Sequence, residues 1–522
     1  MHDNRSSAWR PDRGDGTYQN PVLHADYSDP DIVRAGDDFY LVASSFNHMP
    51  GLPVLHSTDL VNWQIVNHVV PRLTLAGYDA FQPGKGIWAP SIRYHAGMFW
   101  VFFSTPDEGI FMCRAADPRG EWSAPHCLKP AKGWIDPCPF WDDDGRAWLV
   151  HAFAYSRSGV KHRLQLCEMS PDGQSLLDQG RTLYDGSADL PTLEGPKVYK
   201  RHGWYYIFAP AGGVATGWQA VLRSRDIKGP YEARKVLHQG QTQVNGPHQG
   251  GWVELANGEN WFMHFQDAGV YGRLVHLQPL RWVNDWPVIG SGADDGPGEP
   301  VASWTKPGMA ASQTPCEPAA SDDFSSDHLG LQWQWQANPR PYWARRDHLG
   351  MHLACETLPL RDGRASLYDA ANLLLQKFPA REFSVTTRMK ADLRHDGEQC
   401  GLIIYGERYA ALGLRLDQGE YRLSWETGWR GDRGEVNVAA RVIAAWPDAC
   451  ALNLRIVVRQ DAICTFSYSL DNHAYTRLPG TFAAGPGKWV GAKVGLFAVA
   501  RHEEKESIGT ANFSFFTVGT VD

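Results

Sequence analysis

The chain has 522 residues, 43% of them hydrophobic, and a net charge of −8 at neutral pH. This length is enough for two or three domains with cores of their own. The mild negative charge and the absence of a lysine- or arginine-rich run argue against a nucleic-acid partner, and no apolar stretch is long enough to cross a membrane.

The amino terminus and the cysteines bear on where the protein works. No apolar segment follows residues 1–7, so a secretory signal is not expected and we predict a cytoplasmic protein. The nine cysteines are an odd number, are scattered and contain no Cys-x-x-Cys pair. They are therefore expected to be reduced, mostly buried side chains rather than a disulfide or zinc framework.

A short phrase recurs five times in the first half of the chain: a proline closing a tight turn, an apolar strand, a polar turn, and a strand that opens with aromatic residues. The turns are Ser28-Asp29-Pro30, Trp88-Ala89-Pro90, Ile135-Asp136-Pro137, Glu194-Gly195-Pro196 and Asn245-Gly246-Pro247. A period of roughly 45 to 60 residues with short strands is typical of propeller blades. We therefore predict an all-β fold that begins with a five-bladed β-propeller over residues 18–300.

Equivalent turns of a propeller are brought around one central axis. If the proline turns open the innermost strands, the side chains of Asp29, Asp136, Glu194 and His248 converge there from four blades. An acidic residue before proline can also simply favour a turn, and this alternative applies to each Asp-Pro taken alone. Three acids around one axis repel one another and raise pKa values, which favours a functional site.

The composition changes near residue 300, where Gly, Pro, Ala and Ser become frequent. We interpret residues 301–320 as a linker between domains. Beyond it, apolar and polar residues alternate, as in Phe383, Val385, Thr387 and Met389, and no long helical periodicity is visible. Alternation of this kind over residues 321–522 predicts an antiparallel β-sandwich.

Several tryptophans of the sandwich admit more than one interpretation. They are Trp333, Trp335, Trp343, Trp425 and Trp429. They could line a sugar-binding cleft, although aromatic residues of a sandwich more commonly belong to its core. A third possibility is that a loop of the sandwich reaches over the mouth of the propeller.

Two carboxyl groups, one protonated and one ionised, are the minimum equipment for cleaving a glycosidic bond. One protonates the leaving oxygen while the other activates water or attacks directly, and a third can raise the pKa of the acid. The sequence supplies three. It contains no Gly-x-Ser-x-Gly elbow, P-loop, Gly-x-Gly-x-x-Gly or His-Glu-x-x-His motif that would indicate other chemistry.

The proline turns and the closing segment from Gly272 to Gln278 together resemble the blade signatures of glycoside hydrolase family 43. The resemblance spans residues 18 to about 290, and the second domain is similar to the concanavalin-like sandwich of the β-xylosidase branch of that family. It implies an inverting mechanism in which Asp29 is the general base and Glu194 the general acid. Asp136 would orient that acid and tune its pKa.

The resemblance also implies substrate contacts. Arg273 matches an arginine that binds sugar in the first subsite, although it could instead stabilise a blade. Phe46 and Trp88 match aromatic positions of the pocket wall, although both could be core residues. For inversion, the acid and base should stand about 6.5 to 9.5 Å apart to leave room for a water molecule.

His248 is similar to an axial histidine that, in some members of the family, helps to hold a calcium ion through water. It could also be an ordinary hydrogen-bonded residue, since calcium prefers oxygen ligands. The resemblance therefore implies an optional calcium ion at the propeller axis, with His248 as one of the groups that hold it. Asp142-Asp143-Asp144-Gly145 lacks the spaced ligands of an EF-hand and is interpreted as the polar turn of the third blade.

The expected activity is removal of β-D-xylose from short β-1,4-xylo-oligosaccharides or arabinoxylan fragments, with α-L-arabinofuranosidase activity as a second capacity. Two alternatives are a retaining furanosidase of a related five-bladed family and a non-catalytic carbohydrate-binding protein. The sequence leaves the oligomeric state open.

Overall fold

The computed structural model describes residues 8–308, 314–361, 364–431, 435–447, 450–501 and 508–521. It consists almost entirely of strands, which form a five-bladed propeller followed by a two-sheet sandwich. The fold class predicted from the sequence is therefore confirmed.

The propeller contains a short first strand and five four-stranded antiparallel sheets. Its strands are β1 (Thr17–Gln19); in blade I, β2 (Asp31–Ala35), β3 (Asp38–Val42), β4 (Gly51–Ser57) and β5 (Gln64–Val70); in blade II, β6 (Ser91–His95), β7 (Met98–Thr105), β8 (Gly109–Ala115) and β9 (His126–Pro130); in blade III, β10 (Trp134–Trp141), β11 (Ala147–Phe153), β12 (Arg163–Met169) and β13 (Arg181–Asp185); in blade IV, β14 (Lys197–Arg201), β15 (Trp204–Ala211), β16 (Trp218–Ser224) and β17 (Glu232–Leu237); and in blade V, β18 (His248–Glu254), β19 (Asn260–Asp267), β20 (Arg273–Val283) and β21 (Trp286–Ile289). A short helix, α1 (Tyr155–Ser158), follows β11, and a 3-10 turn at Gly269–Tyr271 precedes β20.

The repeat seen in the sequence corresponds to the first hairpin of each blade. The hairpin between the first and second strand of every blade contains a glycine with a left-handed backbone, at φ values between 66° and 86°: Gly36, Gly97, Gly145, Gly203 and Gly258. Glycine adopts this conformation without steric cost. The repeated aromatic residues lie at the start of the second strands, where Phe39, Trp148 and Phe262 are buried between the sheets.

The ring closes between the last blade and the first. Strand β2 contacts both β6 and β18, and β10 contacts both β6 and β14. The amino-terminal segment reinforces this closure, since Leu23 pairs with Val275 of blade V and β1 pairs with β22 (Ser303–Thr305). The predicted connector thus contributes a strand to the amino-terminal edge of the propeller.

The sandwich has two eight-stranded sheets. Its strands are β23 (Gln334–Trp335), β24 (Ala344–Asp347), β25 (Gly350–Ala354), β26 (Glu356–Thr357), β27 (Leu374–Lys377), β28 (Phe383–Asp392), β29 (Glu398–Tyr405), β30 (Arg408–Asp417), β31 (Glu420–Arg430), β32 (Val436–Ala445), β33 (Leu452–Arg459), β34 (Ile463–Ser469), β35 (Thr476–Arg477), β36 (Phe482–Ala483), β37 (Lys493–Ala500) and β38 (Thr510–Gly519). Two 3-10 turns lie at Leu367–Asp369 and Gln460–Ala462. Pairing is antiparallel except between β26 and β37.

The two domains are joined by backbone pairing as well as by the linker. Met49, in the loop before β4, exchanges two hydrogen bonds with Trp335, at 3.0 and 2.6 Å. The side chain of Asn47 donates to the carbonyl of Gln336 at 2.8 Å. This loop also contains Phe46, so the sandwich supports the segment that carries one of the predicted wall residues.

Candidate active site

The proline turns mark the inner strands of the five blades: four turns directly precede the strand, and Pro137 lies within β10. The residue after each proline is almost completely buried: Asp31, Ser91, Cys138, Lys197 and His248. These side chains interlock between blades, because the ammonium of Lys197 donates to the Pro90 carbonyl and to the Ser91 hydroxyl, both at 3.0 Å. The inner strands therefore bring polar groups of different blades to one place.

Asp29 is held by three donors. Its Oδ1 accepts a hydrogen bond from Nη1 of Arg273 at 3.1 Å, and its Oδ2 accepts from the hydroxyls of Ser44 at 2.5 Å and Ser28 at 3.3 Å. Arg273 also donates to Ser28 at 2.7 Å. Both Asp29 and Arg273 are buried. One charged donor and two hydroxyls thus fix the orientation of this carboxyl group.

Asp136 and Glu194 come from neighbouring blades. The Oδ2 of Asp136 accepts a hydrogen bond from the backbone N–H of Gly195 at 2.9 Å. Glu194 lies 3.0 Å from Nε2 of His248, and 27% of its side chain is exposed, whereas Asp136 and His248 are buried. Among the three acids, Glu194 is thus the one most accessible to a molecule in the pocket.

The three acids influence one another. Burial, and then the charges of Glu194 and Asp29, raise the pKa of Asp136 to about 8, while the Gly195 N–H and the Lys197 ammonium act in the opposite direction. Asp136 therefore holds a proton at neutral pH.

The backbone is strained at three of the predicted site residues. Asp29, Phe46 and Asp136 have φ values of 53°, 52° and 55°. Such conformations are uncommon for residues other than glycine, and most of all for a bulky aromatic residue. They persist where the surroundings enforce them, which is frequent at functional sites.

Phe46 and Trp88 form an aromatic corner. Their ring centroids are 6.5 Å apart at an angle of 61°, and the backbone of Phe46 pairs with that of Ile87. Phe46 is buried, while Trp88 is half-buried, donates from Nε1 to the Gly84 carbonyl at 3.1 Å and lies under the guanidinium of Arg157. Trp88 therefore keeps part of its surface free to meet a ligand.

A loop of the sandwich reaches the same region, which was one of the three possibilities left open for that domain. A Cβ atom on Gly84 would lie 2.6 Å from Cγ of Lys488 and 3.1 Å from the indole of Trp489. The indole of Trp489 is partly exposed. By contrast, Trp333, Trp335 and Trp343 are buried, as the core interpretation predicted.

Three polar residues of the site were not singled out from the sequence. Ser44 contacts Asp29, Lys197 lies within the electrostatic reach of Asp136, and Gln249 packs against Gly195. A Cβ atom on Gly195, whose φ is 57°, would lie 2.7 Å from the Gln249 side chain. Lys197 and Gln249 could have been noticed, because each follows a proline turn by one or two residues. Ser44 has no such signal.

The described residues contain no group of three or more His, Cys, Asp or Glu side chains that could hold a metal ion. Beside the acids, His248 offers a nitrogen: its Nδ1 is buried and has no hydrogen-bond partner in the described chain, while Nε2 faces Glu194. The donor set thus fits an ion surrounded by water with one imidazole contact. It does not fit a calcium ion enclosed by protein oxygens.

Three carboxyl groups, one fixed by an arginine and one accessible, stand beside an aromatic wall in a five-bladed propeller. This arrangement defines a glycoside hydrolase, in which paired carboxyl groups supply acid and base. A model of glycosyl hydrolases family 43 matches residues 18–287, and a model of the beta xylosidase C-terminal concanavalin A-like domain matches residues 321–519. The chain belongs to glycoside hydrolase family 43.

Similar proteins agree with this assignment. A putative beta-xylosidase of Xylanibacter ruminicola is 42% identical over 93% of this chain and 86% of its own. A beta-xylosidase of Formosa agariphila is 32% identical over 97% and 91%, and a non-reducing end alpha-L-arabinofuranosidase of Bacteroides ovatus is 30% identical over 64% of each. A crystal structure of xylan beta-1,4-xylosidase from Bacillus halodurans has the same fold, with a TM-score of 0.84, 24% identity and coverage of 96% and 99%.

The protein is therefore an enzyme of the xylosidase and arabinosidase family, and the alternative of a non-catalytic binding protein is set aside. The nine cysteines all lie in described segments, and none of them forms a disulfide bond there. Within those segments, no helix has the length and apolar character needed to cross a membrane.

The raised pKa of Asp136 predicts a pH-dependent gain in stability for Asp136→Asn. Between its ordinary value of 3.8 and about 8, the folded protein holds a proton that the unfolded chain releases, so the contribution of Asp136 to stability falls as pH rises. Asparagine removes this dependence. At pH 8 the variant should gain at least about 1 kcal/mol, the equivalent of less than one pKa unit, and less at pH 5.

Denaturant unfolding of both proteins at pH 5 and pH 8 measures this difference. Asp143→Asn serves as the control, because the Asp143 side chain is 86% exposed. An Asp136→Asn variant that gained no more at pH 8 than at pH 5 would contradict the predicted charge repulsion.

Proposed function

We propose that the protein is an inverting, exo-acting β-D-xylosidase that releases xylose from β-1,4-xylo-oligosaccharides and also removes α-L-arabinofuranosyl groups. The observation that carries this proposal is the contrast between Asp29 and Glu194. Asp29 is buried and bound by Arg273 and two hydroxyls, whereas Glu194 is partly exposed and contacts an imidazole. The two carboxyl groups are thus equipped for different tasks.

Asp29 acts as the general base. The guanidinium of Arg273 and the hydroxyls of Ser44 and Ser28 fix the orientation of its carboxyl group through three hydrogen bonds. A fixed carboxylate can accept a proton from water while that water attacks the anomeric carbon. Arg273, which is held by Ser28 and lies 4.9 Å from the centre of the Phe265 ring, is also placed to contact the sugar.

Glu194 acts as the general acid, because it is the carboxyl group of the cluster that a glycosidic oxygen can reach. The Nε2 atom of His248 lies 3.0 Å from the Glu194 carboxylate and orients it. Asp136 is a positioning residue: it accepts a hydrogen bond from the peptide N–H of Gly195, directly after Glu194, and its buried carboxyl group holds a proton beside Glu194 at neutral pH. Proton transfer to the leaving oxygen then breaks the bond to the next sugar.

Inversion requires space for a water molecule between the acid and the base. Asp29 belongs to blade I and Glu194 to blade IV, which are separated in the ring by blade V on one side and by blades II and III on the other. Each carboxyl group has its own partners, Arg273 and Ser44 for Asp29 and His248 for Glu194. This separate anchoring supports the inverting mechanism over the retaining one.

The exo mode is supported by the sandwich loop that contacts Gly84 beside Trp88. A pocket closed by this loop would admit one end of a sugar chain and release one sugar at a time. Xylopyranose and arabinofuranose present similar hydroxyl arrangements to one pocket, which accounts for the second activity. The nine cysteines, none of which forms a disulfide bond in the described segments, support a cytoplasmic location, where thiols stay reduced.

Substituting the acid and the base should have different effects on substrates with different leaving groups. Glu194→Gln should lower kcat/KM on xylobiose by about 10²- to 10⁴-fold, and much less on nitrophenyl xyloside, because nitrophenolate departs without a proton. Asp29→Asn should reduce both rates to a similar extent, since water attack is needed in each case. Steady-state kinetics on the two substrates test this, with Asp143→Asn as an unaffected control. Equal losses on both substrates for Glu194→Gln would reject it as the acid.

Inversion can be followed directly by proton NMR. During hydrolysis of a β-xyloside, the first signal of free sugar should be that of α-xylose, before mutarotation produces the β anomer, because water attacks from the face opposite the leaving group. Initial appearance of β-xylose would reject the inverting mechanism and favour the retaining alternative, with Asp29 as a nucleophile.

We propose calcium at the axis only as an ion surrounded by water, with Nδ1 of His248 as its contact with the protein. Such an ion would supply positive charge near the imidazole that contacts Glu194. Treatment with a chelator should then lower kcat for nitrophenyl xyloside, and added calcium should restore it. In His248→Gln, the same treatment should have no effect. An unchanged rate in the wild-type enzyme would remove calcium from the mechanism.

A further inference from the structure

A cleft in the sandwich carries aromatic and charged groups that the proposed reaction does not use. This cleft, here called the β31 cleft, has a volume of about 510 Å³ and lies in the size range of small-ligand sites. Its main side chains are those of Arg408, Trp425, Thr427, Trp429, Phe466 and Phe482. All of them belong to the second domain, whereas the three acids belong to the propeller.

Strand geometry places the key side chains on one face. Residues 425, 427 and 429 alternate along β31, so their side chains point the same way. Arg408 of β30 is the direct partner of Trp429 in the antiparallel ladder. Side chains at directly opposite positions are close enough to act on one ligand.

The opposite wall belongs to the other sheet. The ring of Trp425 packs edge-on against Phe466, with centroids 4.5 Å apart, and the guanidinium of Arg408 lies 5.6 Å from the centre of the Phe482 ring. Trp425 is half-buried and thus fixed, while 44% of Trp429 is exposed. The cleft therefore offers a flat indole surface at its mouth, supported by a rigid aromatic base.

The polar groups of the cleft have few partners. Neither Arg408 nor the neighbouring Arg430 forms an ion pair within the described chain, and the hydroxyls of Thr427 and Thr481 form no hydrogen bond there. The described residues that line the cleft present the guanidinium of Arg408 and no carboxylate, whereas the guanidinium of Arg430 lies over the ring of Tyr368, outside the cleft. The positive charge of the cleft favours an anionic ligand. A guanidinium binds a carboxylate through two parallel hydrogen bonds.

We propose that the β31 cleft binds a sugar that carries a carboxylate, as in a uronic acid side group of a xylo-oligosaccharide. The apolar face of the sugar ring stacks on Trp429, its carboxylate pairs with Arg408, and its hydroxyls contact Thr427 and Thr481. This site would hold acidic xylan fragments on the enzyme without cleaving them. The proposal does not depend on the roles of Asp29 and Glu194.

The proposal is tested by calorimetric titration with a uronic acid-substituted xylotriose. The protein carries Glu194→Gln and is first saturated with neutral xylotriose, which occupies the catalytic pocket. One further equivalent of the acidic sugar should bind. Trp429→Ala and Arg408→Gln should each weaken this binding by about tenfold, the effect expected from losing a stacked or charge-paired contact. Trp304→Ala, at an indole with the same 44% exposure elsewhere, should leave it unchanged.

The other outcomes each reject part or all of the proposal. No further binding, or equal affinities for Trp429→Ala and Trp304→Ala, would reject the site. Weakening by Trp429→Ala but not by Arg408→Gln would reject the acidic ligand. A wild-type dimer that becomes monomeric on Trp429→Ala, seen by sedimentation, would identify a second copy as the occupant instead. Trp429→Phe, together with the unfolding temperature of each variant, separates loss of the contact from loss of the fold.

Discussion

The convergence of buried charge at the axis of the propeller is the constraint on which the site depends. Three carboxyl groups from blades I, III and IV meet there, and burial together with the charges of Glu194 and Asp29 raises the pKa of Asp136. Removing charge from water is costly unless it is compensated by partners. The structure compensates it with Arg273 on Asp29, a backbone N–H on Asp136, and Lys197 nearby. Deeper in the ring, Asp31 and Arg93 form a second buried pair at 2.7 Å.

The second domain is part of this scaffold. The carboxylate of Asp26 accepts hydrogen bonds from the backbone N–H groups of both Arg273 and Gly491, at 2.9 Å each. One buried side chain thus joins the strand that carries Arg273, the arginine bound to Asp29, to a loop of the sandwich. Met49 and Trp335 join the domains in a similar way beside Phe46. Such contacts tie the geometry of the pocket to the packing of the two domains, beyond what a flexible linker would do.

Much of the fold could be predicted because the repeat consists of residues that determine the local backbone conformation. The hairpin glycines, the prolines and the alternating rows of β28 and β33 act locally, and the structure follows them. Contacts between distant segments could not be read in this way. Ser44 approaches Asp29 from 15 residues away, and nothing in its neighbourhood in the chain marks it. The tryptophans show the same limit, since Trp333 is buried and Trp429 exposed although both lie in strongly aromatic segments.

The residue before the proline explains why the acid cluster is formed at the repeated turns. In four blades this residue has a left-handed backbone: Asp29, Asp136, Gly195 and Gly246 have φ values of 53°, 55°, 57° and 45°. Glycine meets this requirement without strain, whereas a residue with a side chain in such a region costs on the order of 1 kcal/mol or more. Blades IV and V use glycine, so the turn itself does not need a carboxylate. Blades I and III carry aspartate at the same strained position, and in both the side chain enters the acid cluster. Glu194, the proposed general acid, stands one residue earlier, outside the strained position, where its side chain stays partly exposed. The two aspartates therefore mark the acid cluster, because each stands where the backbone conformation alone would favour glycine.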